Sequence, residues 1–242
     1  MRLGDRKANT RSFSAKFFDG FRCKQTFLPS CSAPRQIEYD PHRPSRLLNG
    51  TTCGDIILFD TETNQEIWST CFSEYRSNIL GLAWLARHPD HFVAGDCRGT
   101  LKLLNMNGGS MIYDPFPHLT SVHVNCHDQF FIASGYTTDV AVYDVNRKEP
   151  LLVFDGIHTQ HINVVKFANR AAPLFASSSF DGDVKLWDLR VGPRYPIYTR
   201  RSERGNVMLC FSHDDRFLLV SGVDNEVRQY EALDGTLHTL FV

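Results

Sequence analysis

The chain has 242 residues with 26 Lys and Arg against 27 Asp and Glu, a net charge of −1, so no overall field steers it toward nucleic acid or an anionic membrane. Seven cysteines without a Cys-x-x-Cys spacing read as reduced thiols rather than a disulfide framework, which points to the nucleus or cytoplasm. No apolar run approaches the roughly 18 residues that span a bilayer, and the first residues hold no uninterrupted apolar stretch, which argues against membrane insertion and secretion.

In chain order, residues 1–34 are polar and basic, with Arg2, Arg6, Lys7, Arg11, Lys16, Arg22 and Lys24 against Asp5 and Asp19. They read as a flexible lead-in, with KQTFLP as the one stretch suited to a short strand. From 35 onward a rhythm sets in: strand, strand ending in small residues, tight turn, strand closing on an apolar and a polar residue, fourth strand. The third-strand endings are Phe59-Asp60, Leu104-Asn105, Tyr143-Asp144, Trp187-Asp188 and Tyr230-Glu231, separated by 45, 39, 44 and 43 residues. Five units follow, at about 35–71, 72–116, 117–156, 157–201 and 202–242. Asp-Gly, Arg-Gly and Asp-Asn pairs sit where the hairpins must reverse, because those residues tolerate positive φ. The stretch LGLAWLARHP hints at a helix but alternates as a strand and stops at a proline, so it is assigned to strand.

Unit four is the clearest. In LFASSSFDGDVKLWDLR, Leu174 and Phe175 lead into small residues, Asp181-Gly182 turns the chain, and Val184, Leu186 and Leu189 resume an apolar pattern that ends in Trp187-Asp188. This unit, with the ~40 to 45-residue period of the whole, resembles the WD-repeat family, whose four-stranded blades stack into a β-propeller. The resemblance implies an all-β fold, a propeller with five visible blades over 35–242. It also implies that His158, Ser177, Asp181 and Trp187 form a buried hydrogen-bonded tetrad. The other units lack that set, holding Cys53, Arg98, Thr137 and Asp224 at the place of Asp181, and are expected to rely on packing.

Phe175 to Arg190 further resembles the sixteen-residue DWD box, with Asp181, Trp187, Asp188 and Arg190 at its defining positions. In the family that box marks proteins that dock on the damaged-DNA-binding adaptor of cullin-4 RING ubiquitin ligases. The wording of the last two units is most similar to plant members of this group. The implied function is a non-catalytic substrate receptor whose partners are the adaptor and a target protein, with no cofactor, metal, nucleic acid or membrane. A general scaffold for peptides or acidic partners is the alternative. Physically, Arg190 has two readings: a planar fork offered to a partner's acceptors, or a cap on its own blade.

Other constellations are weaker. Ser177, His158 and Asp181 have the residue types of a hydrolase triad, but no strained nucleophile elbow and no oxyanion donors accompany them. His123 with Cys126 and His127, and His158 with His161, place potential metal ligands close together without the remaining ligands, and a strand would send His158 and His161 to opposite faces. Arg194, Arg200, Arg201 and Arg204 form a basic run between units four and five, a solvated rim suited to acidic peptides or phosphates. Since such propellers usually close with seven blades, five units imply part of a longer chain, a smaller ring or an open arc.

Overall fold

The computed structural model describes Thr26 and residues 33–241, so the basic lead-in and KQTFLP lie outside the described residues, Thr26, Ala33 and Pro34 excepted. Twenty strands follow one another there, in consecutive fours. The first sheet is β1 (Pro34–Tyr39), β2 (Arg46–Thr51), β3 (Asp55–Asp60) and β4 (Gln65–Cys71), and the second is β5 (Ile79–Trp84), β6 (His91–Asp96), β7 (Leu101–Asn105) and β8 (Ser110–Tyr113). The third is β9 (Leu119–Val124), β10 (Phe130–Gly135), β11 (Val140–Asp144) and β12 (Pro150–Phe154). The fourth is β13 (Ile162–Phe167), β14 (Leu174–Ser179), β15 (Asp183–Asp188) and β16 (Tyr198–Arg201), and the fifth is β17 (Asn206–Phe211), β18 (Phe217–Gly222), β19 (Val227–Glu231) and β20 (Leu237–Phe241). Strand order within each sheet is sequential and neighbours are antiparallel.

The alternation of strand side chains dictates how the sheets stack. On one face of the fourth sheet, Val165, Phe167, Phe175 and Trp187 meet Ile132, Val142 and Phe154 of the third. On the other, Val164, Ala176, Val184 and Leu186 meet Leu209, Leu218, Val220 and Tyr230 of the fifth. Aromatic edges lock the former interface, with the Phe154 ring 5.0 Å from Phe175 and 5.6 Å from Trp187. Close approach also demands a missing side chain: a Cβ on Gly81 of β5 would stand 2.6 Å from Val122 Cγ2 in the next sheet.

The first strand of every sheet lies beside the first strand of the next, β1 by β5, β5 by β9, β9 by β13 and β13 by β17, which sets the sheets around a common axis. Glu38 of β1 and Lys166 of β13 meet across that axis at 4.0 Å. Among the described residues no comparable packing brings β17 back to β1, so the five sheets make an open, partial propeller. The strand assigned to LGLAWLARHP is β5. The outer strand of the fourth sheet starts at Tyr198, beyond Pro196, which has no N–H for the ladder.

Carboxylates tie neighbouring sheets together at the loops between first and second strands. Asp128 accepts from the N–H groups of Ala86, Arg87 and His88 at 2.6, 2.7 and 3.0 Å, and Asp215 from those of Asn169, Arg170 and Ala171 at 2.7, 2.6 and 3.2 Å. Asp90 takes the Arg46 guanidinium of the first sheet at 2.8 Å. All three aspartates have positive φ, near 60°. The corresponding loop of the fourth sheet, 168–173, has no carboxylate, and Pro173 precedes β14 where Asp90 precedes β6. A proline ring cannot take the backbone conformation of those aspartates.

Candidate functional site

In the fourth sheet the turn between β14 and β15 reverses through Gly182 at φ +88°, a conformation that glycine adopts without strain. The turn brings Asp181 under His158, in the loop that precedes β13, with 3.0 Å from His158 Nδ1 to Asp181 Oδ2. His158 Nε2 stands 2.8 Å from Ser177 Oγ on β14, and Trp187 Nε1 on β15 donates to the same oxygen at 3.0 Å. The indole only donates, so Ser177 accepts from it. The serine proton then goes to His158 Nε2, which leaves the Nδ1 proton for Asp181. Burial pushes the Asp181 carboxyl up, but hydrogen bonds from His158 and the N–H groups of Thr159 and Asp183 outweigh it and hold the group well below the usual carboxylate range.

That wiring repeats the order of a hydrolase triad, and burial disposes of the resemblance. Ser177 is 0% exposed and His158 3%, so no carbonyl reaches the hydroxyl. The tetrad is a buried network in which every polar group is matched. At the place of His158 the second and third sheets carry Phe72 and Phe116, both buried, and they hold that corner by packing.

Past the end of β15 the chain turns outward. Arg190 grips Asp188 with Nε at 3.0 Å from Oδ1 and Nη2 at 2.6 Å from Oδ2, while its backbone N–H reaches Oδ1 at 2.9 Å. Of the two readings of Arg190, the contact within its own blade therefore holds for one edge of the fork. It draws the Asp188 carboxyl below its ordinary range, chiefly through the hydrogen bond from the guanidinium. The Arg190 side chain is nonetheless 74% exposed, with Nη1 turned away from Asp188. Beside it, between the third and fourth sheets, opens an apolar groove of about 580 Å³ lined by Phe130, Val142, Leu151, Leu152, Pro173 and Leu189, with Arg190 at its edge. An oriented cation beside an apolar groove can hold an acceptor and an apolar group side by side.

Comparison with known proteins agrees with this architecture. Residues 149–188 match the "WD domain, G-beta repeat" family, a span that ends on Trp187-Asp188. The chain is 48% identical over 221 residues to "Protein DWD HYPERSENSITIVE TO UV-B 1" of Arabidopsis thaliana, covering 86% of this chain and 28% of that protein. The chain is a WD-repeat protein. It is also 32% identical over 162 residues to "Ribosome biogenesis protein WDR12 homolog" of Culex quinquefasciatus, covering 65% of this chain and 37% of the relative. With mouse "DNA damage-binding protein 2" it shares 24% identity over 203 residues, covering 81% and 46%. The chain thus spans between about a quarter and a half of the length of these relatives.

The remaining residues singled out from the sequence do not converge. Arg194 precedes β16 and Arg204 follows it, so the strand holds them at opposite ends of the blade. Arg200 is spent within the fold, with Nε on Gly235 O and Nη2 on Asp234 O, both at 2.6 Å; Arg201 and Arg204 remain exposed. His158 and His161 both lie in the loop before β13, not in a strand, and the His161 ring rests 4.3 Å from that of Phe180. His123 Nδ1 accepts from Phe167 N at 3.1 Å, and burial presses its pKa well down. Among the described residues no three His, Cys, Asp or Glu side chains gather as a metal site. The latch aspartates were missed: an aspartate closing the loop between first and second strands in the second, third and fifth units was the available signal.

Proposed function

We propose that the chain is a non-catalytic receptor blade set that docks, through Arg190 and its surroundings, on the damaged-DNA-binding adaptor of a cullin-4 RING ubiquitin ligase. The Asp188-held guanidinium at the blade's edge carries the reading: its edge is pre-oriented, so a partner's acceptor meets a planar donor at little ordering cost. The similarity to a plant relative whose name contains DWD supports it. Arg201 and Arg204, at the opposite end of the fourth sheet, then face a target protein. The five described cysteines are unpaired, which suits a nuclear or cytoplasmic setting.

The test is capture of the purified adaptor by the chain and by Arg190→Ala. The expected result is a Kd weakened at least about tenfold with an unchanged melting temperature. Undiminished capture by a folded variant removes Arg190 from the interface.

A further inference from the structure

We propose that the groove between the third and fourth sheets takes an acidic–apolar segment of the partner that docks at Arg190, the partner's carboxylate filling the place of the latch that this interface lacks. The proposal rests on the docking reading above and names the chemistry of what docks.

The first argument is the pattern of latches. At the interfaces of sheets one with two, two with three, and four with five, a carboxylate of the later sheet crosses to donors of the earlier one. Between sheets three and four there is none, because the loop 168–173 ends in Pro173. Leu85 and Asn125 stand at the same place, each closing the first strand against the second through its N–H. The next two N–H groups, those of Ala86 and Arg87, donate to Asp128. Their counterparts on Cys126 and His127 make no hydrogen bond to a carboxylate among the described residues.

The second argument is an unpartnered polar atom in the groove wall. Asn125 is 1% exposed; its Oδ1 accepts from Gln129 N and Phe130 N at 2.9 and 3.1 Å, and its Nδ2 has no partner. A buried donor left unmatched is destabilising, and an incoming acceptor relieves that cost. The third is charge. Arg190 closes one side, and Arg147 and Lys148, with Glu149 between them and Pro150, edge an adjoining hollow that shares Leu151 with the groove. The floor itself is apolar, so a large aliphatic side chain next to the acid completes the fit.

A labelled peptide with an Asp beside a Leu, its Asn–Leu counterpart, and the adaptor are titrated against the chain and two groove variants, Leu151→Asp and Leu151→Lys. Both substitutions replace the same leucine at a 49% exposed position with a charged side chain, of opposite sign. The expected result is that the acidic peptide binds at least about tenfold better than its amide counterpart, and that Leu151→Asp weakens peptide and adaptor at least about tenfold more than Leu151→Lys. Peptides that bind alike, or not at all, overturn the proposal. Adaptor capture lost in Arg190→Ala but equal in the two Leu151 variants overturns the groove and leaves the docking reading standing. Selective binding of the acidic peptide without adaptor capture overturns the docking reading and keeps the groove's chemistry.

Discussion

Where the fourth sheet has His158, Ser177, Asp181 and Trp187, the fifth has Ser202, Val220, Asp224 and Tyr230. The correspondence is set by register: Ser177 pairs with Val165 as Val220 pairs with Leu209, and Trp187 pairs with Phe175 as Tyr230 pairs with Leu218. Replacing the serine by valine removes the hydroxyl on which the tetrad converges, and Ser202 and Asp224 take other partners. Ser202 Oγ turns to Gly182 O and Asn206 Oδ1 at 3.0 and 2.6 Å, while Asp224 takes Arg228 of its own sheet at 2.7 Å. One blade is stitched through its core and the other by contacts at its margin. Polar groups in a core are therefore all-or-none: with Ser177 absent, an apolar corner is the stable alternative.

The largest effect follows from breaking the stitched core. Ser177→Ala leaves the Trp187 indole N–H and His158 Nε2 buried and unmatched, a loss of about 2–5 kcal/mol in chemical denaturation. Transplanting the fifth sheet's set, His158→Ser with Ser177→Val and Trp187→Tyr, is expected to recover part of that loss, because the imidazole and indole no longer stand unmatched and Asp181 keeps the N–H groups of Thr159 and Asp183. A Ser177→Ala change within about 0.5 kcal/mol of the parent would mean that the network does not hold the blade.

Acid sharpens the same contrast. Asp181, against the upward push of burial, and Asp224, chiefly through the Arg228 hydrogen bond, are both held below the ordinary 3.8. A depressed folded pKa contributes stability in full above the unfolded value and loses it as pH falls through the folded one, so both effects fade below pH 3.8. The Asp181 side chain is 4% exposed and that of Asp224 14%. Asp181→Asn should accordingly flatten the acid limb of a stability–pH curve more than Asp224→Asn, measured by urea midpoints between pH 5 and pH 2. Equal flattening would place the two carboxylates in equivalent surroundings.

Much of this was legible in the residues. The all-β propeller followed from a local signal repeated five times, alternation in the strands with small residues before the turn, to which units four and five add Asp-Gly and Asp-Asn within the turn. Open architecture was one of three outcomes that the repeat count left. What sequence reading did not reach were relations between blades. For Arg190, within its own blade, the residues left two readings, an open fork or a cap, and how the chain leaves β15 decides that the guanidinium faces Asp188. The latches are also contacts across some 40 residues, and their absence at the third interface matters only once Pro173 is seen beside Asn125. The basic run divides for the same reason, since adjacency in the chain became opposite ends of a strand, with Arg194 before β16 and Arg201 and Arg204 at its far end.

The smallest effect tests the outward face of the fifth sheet. Register places Met208, Leu219 and Val227 where the fourth sheet has Val164, Ala176 and Val184. Those of the fourth are buried against the fifth, whereas Met208 is 54% and Leu219 37% exposed, with Phe241 at 49%. Val164→Ala removes two methyl groups from a packed interface and should cost about 2 kcal/mol. Met208→Ala, at the equivalent position, removes a larger side chain from a half-solvated surface and should change stability by less than about 0.5 kcal/mol. The inequality runs against side-chain size, which makes it a test of burial rather than of residue type. If Met208→Ala costs as much as Val164→Ala, and the cost grows with protein concentration, the face is covered by association in solution, because only a bound partner makes stability depend on concentration.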